Sequence, residues 1–271
     1  MKLSIITINY NNAEGLRKTM ESVLKQTYHD FEYIIVDGAS TDGSVDVIRE
    51  YENQLNITYS TINLLWSSEP DTGIYNAMNK GVRMTKGEYL LFLNSGDYLV
   101  DERVVEKVVP LLDGTDIIQG NLYDVFIAPN RLRRGYGQSD VDLFEAYRCI
   151  ILHPSVFTKR ELFDQYGLFD ESYRIISDTI FYFKSFCIGN ASFKYMDVTI
   201  SVFEGDGISE NVKFLDLKNN EYHRFEKEYI PIRLYEASKN VPKKIKIYDD
   251  LKKNKIIWKM AMCLVKISNF L

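Results

Sequence analysis

The feature that most constrains this 271-residue chain is a unit repeated four times before residue 100. In each repeat a short apolar run ends on acidic or amide residues, and helical spacing follows the first three. Leu3–Asn9 (LSIITIN) is β-branched and ends in Asn9-Tyr10-Asn11-Asn12, after which Leu16, Met20, Val23 and Leu24 recur at the period of one helix face. Phe31–Asp37 (FEYIIVD) is the second run, broken by Gly38-Ala39-Ser40-Thr41-Asp42-Gly43 and followed by a helix with Val45 and Ile48 on its apolar face. A third strand lies within Ile62–Glu69. Pro70-Asp71-Thr72-Gly73 ends it, and Ile74, Ala77, Met78 and Gly81 line the next helix. Tyr89–Asn94 (YLLFLN) is almost continuously apolar, as a strand covered on both faces should be. Strands alternating with helices predict an α/β fold with a parallel, doubly wound sheet.

Such sheets bind ligands beyond the carboxyl ends of their strands. The four predicted exits carry Asn9-Tyr10-Asn11, Asp37-Gly38, Glu69-Pro70-Asp71 and Asn94-Ser95-Gly96-Asp97. This ring of acids and amides would repel an anion unless a cation intervened. It favours a hard metal ion together with a polar ligand such as a nucleoside.

Beyond Asp97 the pattern loosens. Val104–Leu112 and Ser177–Phe186 predict helices, Asp116–Leu122 and Ile150–Thr158 strands, Asn130–Ser139 a loop, and Lys194–Phe203 a strand pair or edge. With 45% hydrophobic and 26% charged residues, the chain suits one large globular domain with a short appendage. Cys149, Cys187 and Cys263 form no disulfide framework or metal-ligand spacing, and packing residues are expected there. No signal-peptide pattern precedes the first strand, so a cytoplasmic location is the default expectation. The net charge of −5 is uneven: Lys243–Lys266 holds eight Lys against two Asp, a net +6, which leaves −11 elsewhere. An acidic body argues against a nucleic-acid partner.

Read in order, TINYNN, IIVDGASTDGS, SEPDTGIYNAMNKG and KGEYLLFLNSGD resemble the successive blocks of the inverting family 2 glycosyltransferases of GT-A fold. The resemblance continues more thinly through His153-Pro154-Ser155-Val156-Phe157, Gly167-Leu168-Phe169-Asp170 and Ile176-Ser177-Asp178-Thr179, over roughly residues 1–210. It implies a Rossmann-like, mostly parallel sheet flanked by helices. It also implies a nucleotide-sugar-binding half (1–97) and an acceptor-binding half of the same domain (98–212), after which the residues predict a C-terminal helical, basic amphipathic extension (213–271). By the same resemblance Thr7, Asn9 and Asp37 hold the base and ribose, Asp71 and Lys80 assist at the base or diphosphate, and Asp97 carries a divalent ion, Mn²⁺ or Mg²⁺.

Two positions depart from the family pattern. Its carboxylate run is Asn94-Ser95-Gly96-Asp97 here, with one acid, and its helix-block Arg is Met78. Asn94 remains a candidate binding residue, since an amide oxygen can ligate directly or through water. An inverting transfer needs a base for the acceptor hydroxyl, and the resemblance assigns Asp178, although an Asp at a helix start also serves as a cap. His153 is a candidate contact for diphosphate or acceptor, or a strand histidine with a backbone partner. Gly205-Asp206-Gly207-Ile208-Ser209 has the glycines of a loop able to close over a donor. The implied reaction moves a sugar from a nucleotide-diphosphate sugar, UDP-linked, to a glycan or lipid-linked hydroxyl in cell-surface polysaccharide synthesis. A non-catalytic nucleotide-binding scaffold subunit is the alternative. In the tail, Lys252, Lys255, Lys259 and Lys266 form one stripe on an otherwise apolar helix. Ile256–Leu271 is too short to span a bilayer. The stripe suits a peripheral helix on an anionic membrane, while packing on the body or in a homodimer is the other reading.

Overall fold

The computed structural model describes residues 1–58, 61–128, 131–135, 152–205, 207 and 211–230. Met1–Glu221 forms one compact unit and Tyr222–Leu271 another. The chain opens as β1 (Leu3–Asn9), α1 (Ala13–Leu24), β2 (Glu32–Asp37), α2 (Ser44–Thr58), β3 (Asn63–Ser68), α3 (Ile74–Met84) and β4 (Tyr89–Phe92). These four strands lie parallel in the order β3-β2-β1-β4, so their carboxyl ends share one edge.

Side chains alternate across this sheet with the strand period of two. Leu3, Ile5, Tyr33, Ile35, Tyr89 and Leu91 face one cluster, closed by Leu16, Met20 and Val23 of α1 and by Val47 and Ile48 of α2. Ile6, Ile34, Val36, Leu90 and Phe92 face the other, closed by Tyr75, Ala77, Met78 and Val82 of α3. Both faces are covered, which explains why all seven residues of β1 are buried. On α2 the second buried position is Val47, with the predicted Val45 only half-buried. Gly81 lets α3 settle on the sheet, since a Cβ there would lie 2.6 Å from Ile6 Cγ2.

The second half adds β5 (Tyr98–Leu99), α4 (Val104–Val108) with a 3₁₀ turn at Val109–Leu111, β6 (Ile117–Asp124) and β7 (Leu132–Arg133). After a 3₁₀ turn at His153–Ser155 come β8 (Val156–Lys159), α5 (Glu161–Tyr166), α6 (Ser177–Tyr182) and β9 (Phe193–Phe203), and finally α7 (Leu215–Tyr229). α6 runs on into π-helical geometry over Phe183–Ile188. Among the described residues the sheet has the order β3-β2-β1-β4-β8-β6-β9-β5, with β7 beside β6.

The sheet is mixed from β8 onward, because β8 runs antiparallel to both β4 and β6. The strand predicted over Ile150–Thr158 starts only at Val156, because Pro154 sits inside the preceding 3₁₀ turn and has no N–H for a ladder. The predicted pair or edge at Lys194–Phe203 is one eleven-residue strand, parallel to β6 along its length and antiparallel to β5 near its end. Half of the loop predicted at Asn130–Ser139, much of the Gly205–Ser209 loop and the whole basic tail lie outside the described residues, and the described half of the first contains β7.

Candidate active site

Asp37 is the hub of the exits of β1, β2 and β3. Its Oδ1 accepts from Asn9 Nδ2 at 2.8 Å and Ser40 Oγ at 2.6 Å. Its Oδ2 accepts from the Ser40 N–H at 2.9 Å and Ser68 Oγ at 2.7 Å. Burial alone would raise its pKa, but the bonds from Ser40, Ser68 and Asn9 outweigh that and hold the carboxyl below the usual carboxylate range. With four donors on a fully buried group, both oxygens are committed to protein. Asp37 therefore shapes the site from beneath. Asn9, orientated by this network, keeps a buried Oδ1 that no protein group satisfies.

Two residues near these exits have left-handed backbone without being glycine, Asn11 at φ 48° and Ala39 at φ 61°. Such conformations are uncommon and concentrate where loops are shaped for function. Gly38 allows the exits to close together: a Cβ on it would lie 2.4 Å from Asp71 Oδ2 and 3.0 Å from Tyr10 Cδ2. Asp71 caps its own turn by accepting the Gly73 N–H, and Lys80 Nζ donates to the Pro70 carbonyl at 2.9 Å. Tyr10 is 67% exposed beside them, an aromatic face that the sequence reading did not single out.

The fourth exit is the turn Asn94–Asp97, which Gly96 completes at φ 108°. Asp97 is buried, and its Oδ1 accepts the Glu204 N–H at 3.2 Å from the end of β9. Asn94 Nδ2 lies 3.2 Å from His153 Nε2, and Asn94 Oδ1 is buried without a protein partner. His153 Nδ1 in turn lies 3.4 Å from Asp178 Oδ2. Asp178 Oδ1 receives the Thr179 N–H at 2.9 Å and has the Tyr75 hydroxyl 2.8 Å away. Desolvation pushes the Asp178 pKa up, yet contact with His153, then Tyr75 and Thr179, brings it below the ordinary range, so the carboxylate is ionised at neutral pH.

The structure thus joins Asn94, His153 and Asp178, residues far apart in sequence, and places Asn9 and Asp71 around Asp37. It does not bring Thr7 to the site. Thr7 is fully buried inside the sheet, donating to the Leu93 carbonyl at 2.7 Å and pairing with the Tyr33 hydroxyl at 3.0 Å, so the expectation of a nucleotide contact is corrected to an internal brace. Met78, which stands where the family pattern has Arg, is packed in the core. Tyr75, Ser40 and Ser68 were missed. Ser40 alone had a visible signal, its place in the turn that follows Asp37. Cys187 fits the packing role expected of it, with burial pushing its thiol up to about 11.

The family model described as Glycosyl transferase family 2 matches residues 4–183. The chain belongs to glycosyltransferase family 2. A PGL/p-HBAD biosynthesis glycosyltransferase of Mycobacterium bovis is 31% identical over 215 residues, covering 77% of this chain and 79% of its own. An uncharacterized glycosyltransferase of Rickettsia typhi is 27% identical over 209 residues, covering 71% and 61%. Among solved structures, S. aureus TarS 1–349 in complex with UDP-GlcNAc superposes with a TM-score of 0.62 at 20% identity, covering 80% of this chain and 64% of that one. This chain spans 36% of the longer TarS structure. The mannosyltransferase PcManGT of Pyrobaculum calidifontis, in complex with GDP-Man and Mn²⁺, gives 0.56 at 19% identity, covering 77% and 58%. The family 2 member described here is therefore a glycosyltransferase enzyme with the GT-A fold.

Proposed function

We propose that this glycosyltransferase moves a sugar from a UDP-sugar to a hydroxyl of a glycan or lipid-linked acceptor, with inversion, in cell-surface polysaccharide synthesis. The observation that carries this reading is Asp178: an ionised carboxylate in the first turn of α6, its side chain still 15% exposed, linked through His153 to Asn94 of the turn that bears Asp97. The UDP-GlcNAc bound to TarS supports the choice of donor class. The mycobacterial relative, named for PGL/p-HBAD biosynthesis, supports a place in a biosynthetic pathway.

In this reading residues 1–97 hold the donor and 98–212 the acceptor. Asn9 Oδ1, Asp71 and Lys80 meet the nucleotide, and Asp37 fixes Asn9. The acceptor hydroxyl oxygen attacks the anomeric carbon from the face opposite the diphosphate. Its proton passes to Asp178 as the new C–O bond forms. The bond from the anomeric carbon to the diphosphate breaks with its electron pair left on the phosphate oxygen. Asn94 and His153 stand between these two events, at the diphosphate side and the acceptor side respectively.

A divalent cation fits the Asn94–Asp97 turn in kind. Asp97 offers one carboxylate, and the orphaned Asn94 Oδ1 offers a second hard oxygen, while no cluster of three His, Cys, Asp or Glu occurs among the described residues. Mn²⁺ and Mg²⁺ need few protein ligands where phosphates contribute the rest. Such an ion, bound there, would neutralise charge on the departing diphosphate. Residues 243–271, outside the described structure, are assigned to an anionic membrane surface on the Lys stripe of the sequence.

The test is incubation with Mn²⁺ and a panel of nucleotide sugars together with glycan and lipid-linked acceptors, following release of nucleoside diphosphate. Release that depends on a UDP-sugar supports the reading. A GDP-sugar preference would overturn the donor class, and no release with any pairing would overturn the transfer itself.

A further inference from the structure

Asp178 is held by two side chains, each joined to a different donor-side exit. Tyr75 stands at the start of α3, two residues beyond Gly73 of the Asp71 turn. Its hydroxyl lies 2.6 Å from the Ile175 carbonyl and 2.8 Å from Asp178 Oδ1, so its one proton is shared between two acceptors on the segment that carries the base. His153 comes from the 3₁₀ turn before β8 and touches Asn94, the first residue of the β4-exit turn. Each donor-side turn is thus one residue away from the base.

The histidine contacts define its tautomer. Nε2 faces the Asn94 amide nitrogen, which can only donate, so Nε2 accepts and the proton sits on Nδ1, facing Asp178 Oδ2. Whichever way the Asn94 amide is turned, Nδ1 keeps its proton, because an unprotonated Nδ1 would set a lone pair against an ionised carboxylate. Both oxygens of Asp178 are therefore engaged, Oδ1 by Tyr75 and the Thr179 N–H, and Oδ2 by His153. The segment behind it is fixed independently. Glu221, buried, accepts the N–H groups of Arg174, Ile175 and Ile176 at 2.6, 2.9 and 3.2 Å, while the Asn79 amide bonds both the N–H and the carbonyl of Phe169. With the backbone held also by Glu221 and Asn79, the His153 contact acts on the carboxylate itself, while Tyr75 bridges the carboxylate and the Ile175 carbonyl.

We propose that Tyr75 and His153 are positioning residues that orient the Asp178 carboxylate toward the acceptor hydroxyl, with His153 acting through its Nδ1–H and carrying no proton of the reaction. The proposal rests on Asp178 being the base. It distinguishes His153 from a proton carrier, which would need a free ring nitrogen on the acceptor side.

Substitution series and imidazole NMR test it together. In the full-length protein, ¹⁵N spectra of His153 should show a protonated Nδ1 and an unprotonated Nε2; the opposite tautomer would overturn the proposal whatever the substrate. With the UDP-sugar that the wild type turns over fastest, Tyr75→Phe and His153→Ala should each cut kcat about 10- to 100-fold while the donor KM changes less than about threefold, the split expected when only base alignment is lost. His153→Asn, whose amide can donate from near the Nδ1 position, should recover at least about tenfold over His153→Ala. An Asn variant as inactive as the Ala variant would identify His153 as a proton carrier and overturn the proposal. Wild-type kcat in Tyr75→Phe and His153→Ala would also overturn it. Asp178→Asn is run alongside: if it retains turnover, the assignment of the base has failed, an outcome separate from those above.

Discussion

At the scale of single residues, Asp37 shows what a buried carboxylate does when every lone pair is occupied. Replacing it with Ala takes away the carboxylate that accepts from Asn9, Ser40 and Ser68. Loss of such charged hydrogen bonds costs roughly 3 kcal/mol. Chemical denaturation should therefore place Asp37→Ala well below wild type, and equal midpoints would contradict the hub role. The pH dependence has a definite sign. The folded pKa lies below the unfolded value of about 3.9, so the stabilisation is complete above that value and disappears as pH falls through the folded one. Wild type should lose its advantage over Asp37→Asn only below about pH 4, and a constant gap down to acid would count against the assignment. That Asp37 mattered was legible from its place after an apolar run. How it matters was not, since Ser68 lies 31 residues away and a turn Asp is the same residue type whether it faces ligand or protein. Thr7 failed for a related reason: alternation assigns it a face of β1, but its depth depends on Tyr33 and on the backbone at Leu93.

Among the elements, β1, β2, β3 and β4 could be read to within about two residues, because each holds an apolar run that ends in a turn cluster. Their exits could be read too, since parallel strands separated by helices must end on the same edge. The second half resisted. β8 is four residues long and β5 two, too short for a period to show, and β9 draws its partners from β6 and β5, distant in sequence. Asp178 was legible as a helix-start acid, whereas its neighbours Tyr75 and His153 lie 103 and 25 residues away and converge only through the packing of α3 and β8. On α3 the predicted apolar face omitted Tyr75 and Asn79, both buried. Both use that burial to bind the segment leading to Asp178 through their polar ends, which periodicity, a record of apolar positions, does not register.

At the scale of the whole molecule, the donor-side sheet edge, the Asn94–Asp97 turn and Asp178 belong to one compact unit, Met1–Glu221. No helix among the described residues is long and apolar enough to cross a membrane. The assignment of residues 243–271 to an anionic surface predicts that the full chain floats with phosphatidylserine-containing liposomes, less so at high salt, and that a chain ending at residue 240 does not. Equal flotation of the two would remove the membrane role and leave packing on protein, including a homodimer. The account as a whole turns on Asp178 as the base of an inverting transfer. The most direct measurement compares wild type with Asp178→Asn in two readouts, UDP affinity by calorimetry and sugar transfer from a UDP-sugar in Mn²⁺. The prediction is an unchanged Kd with turnover reduced at least about 100-fold. Transfer at the wild-type rate by the Asn variant would contradict it.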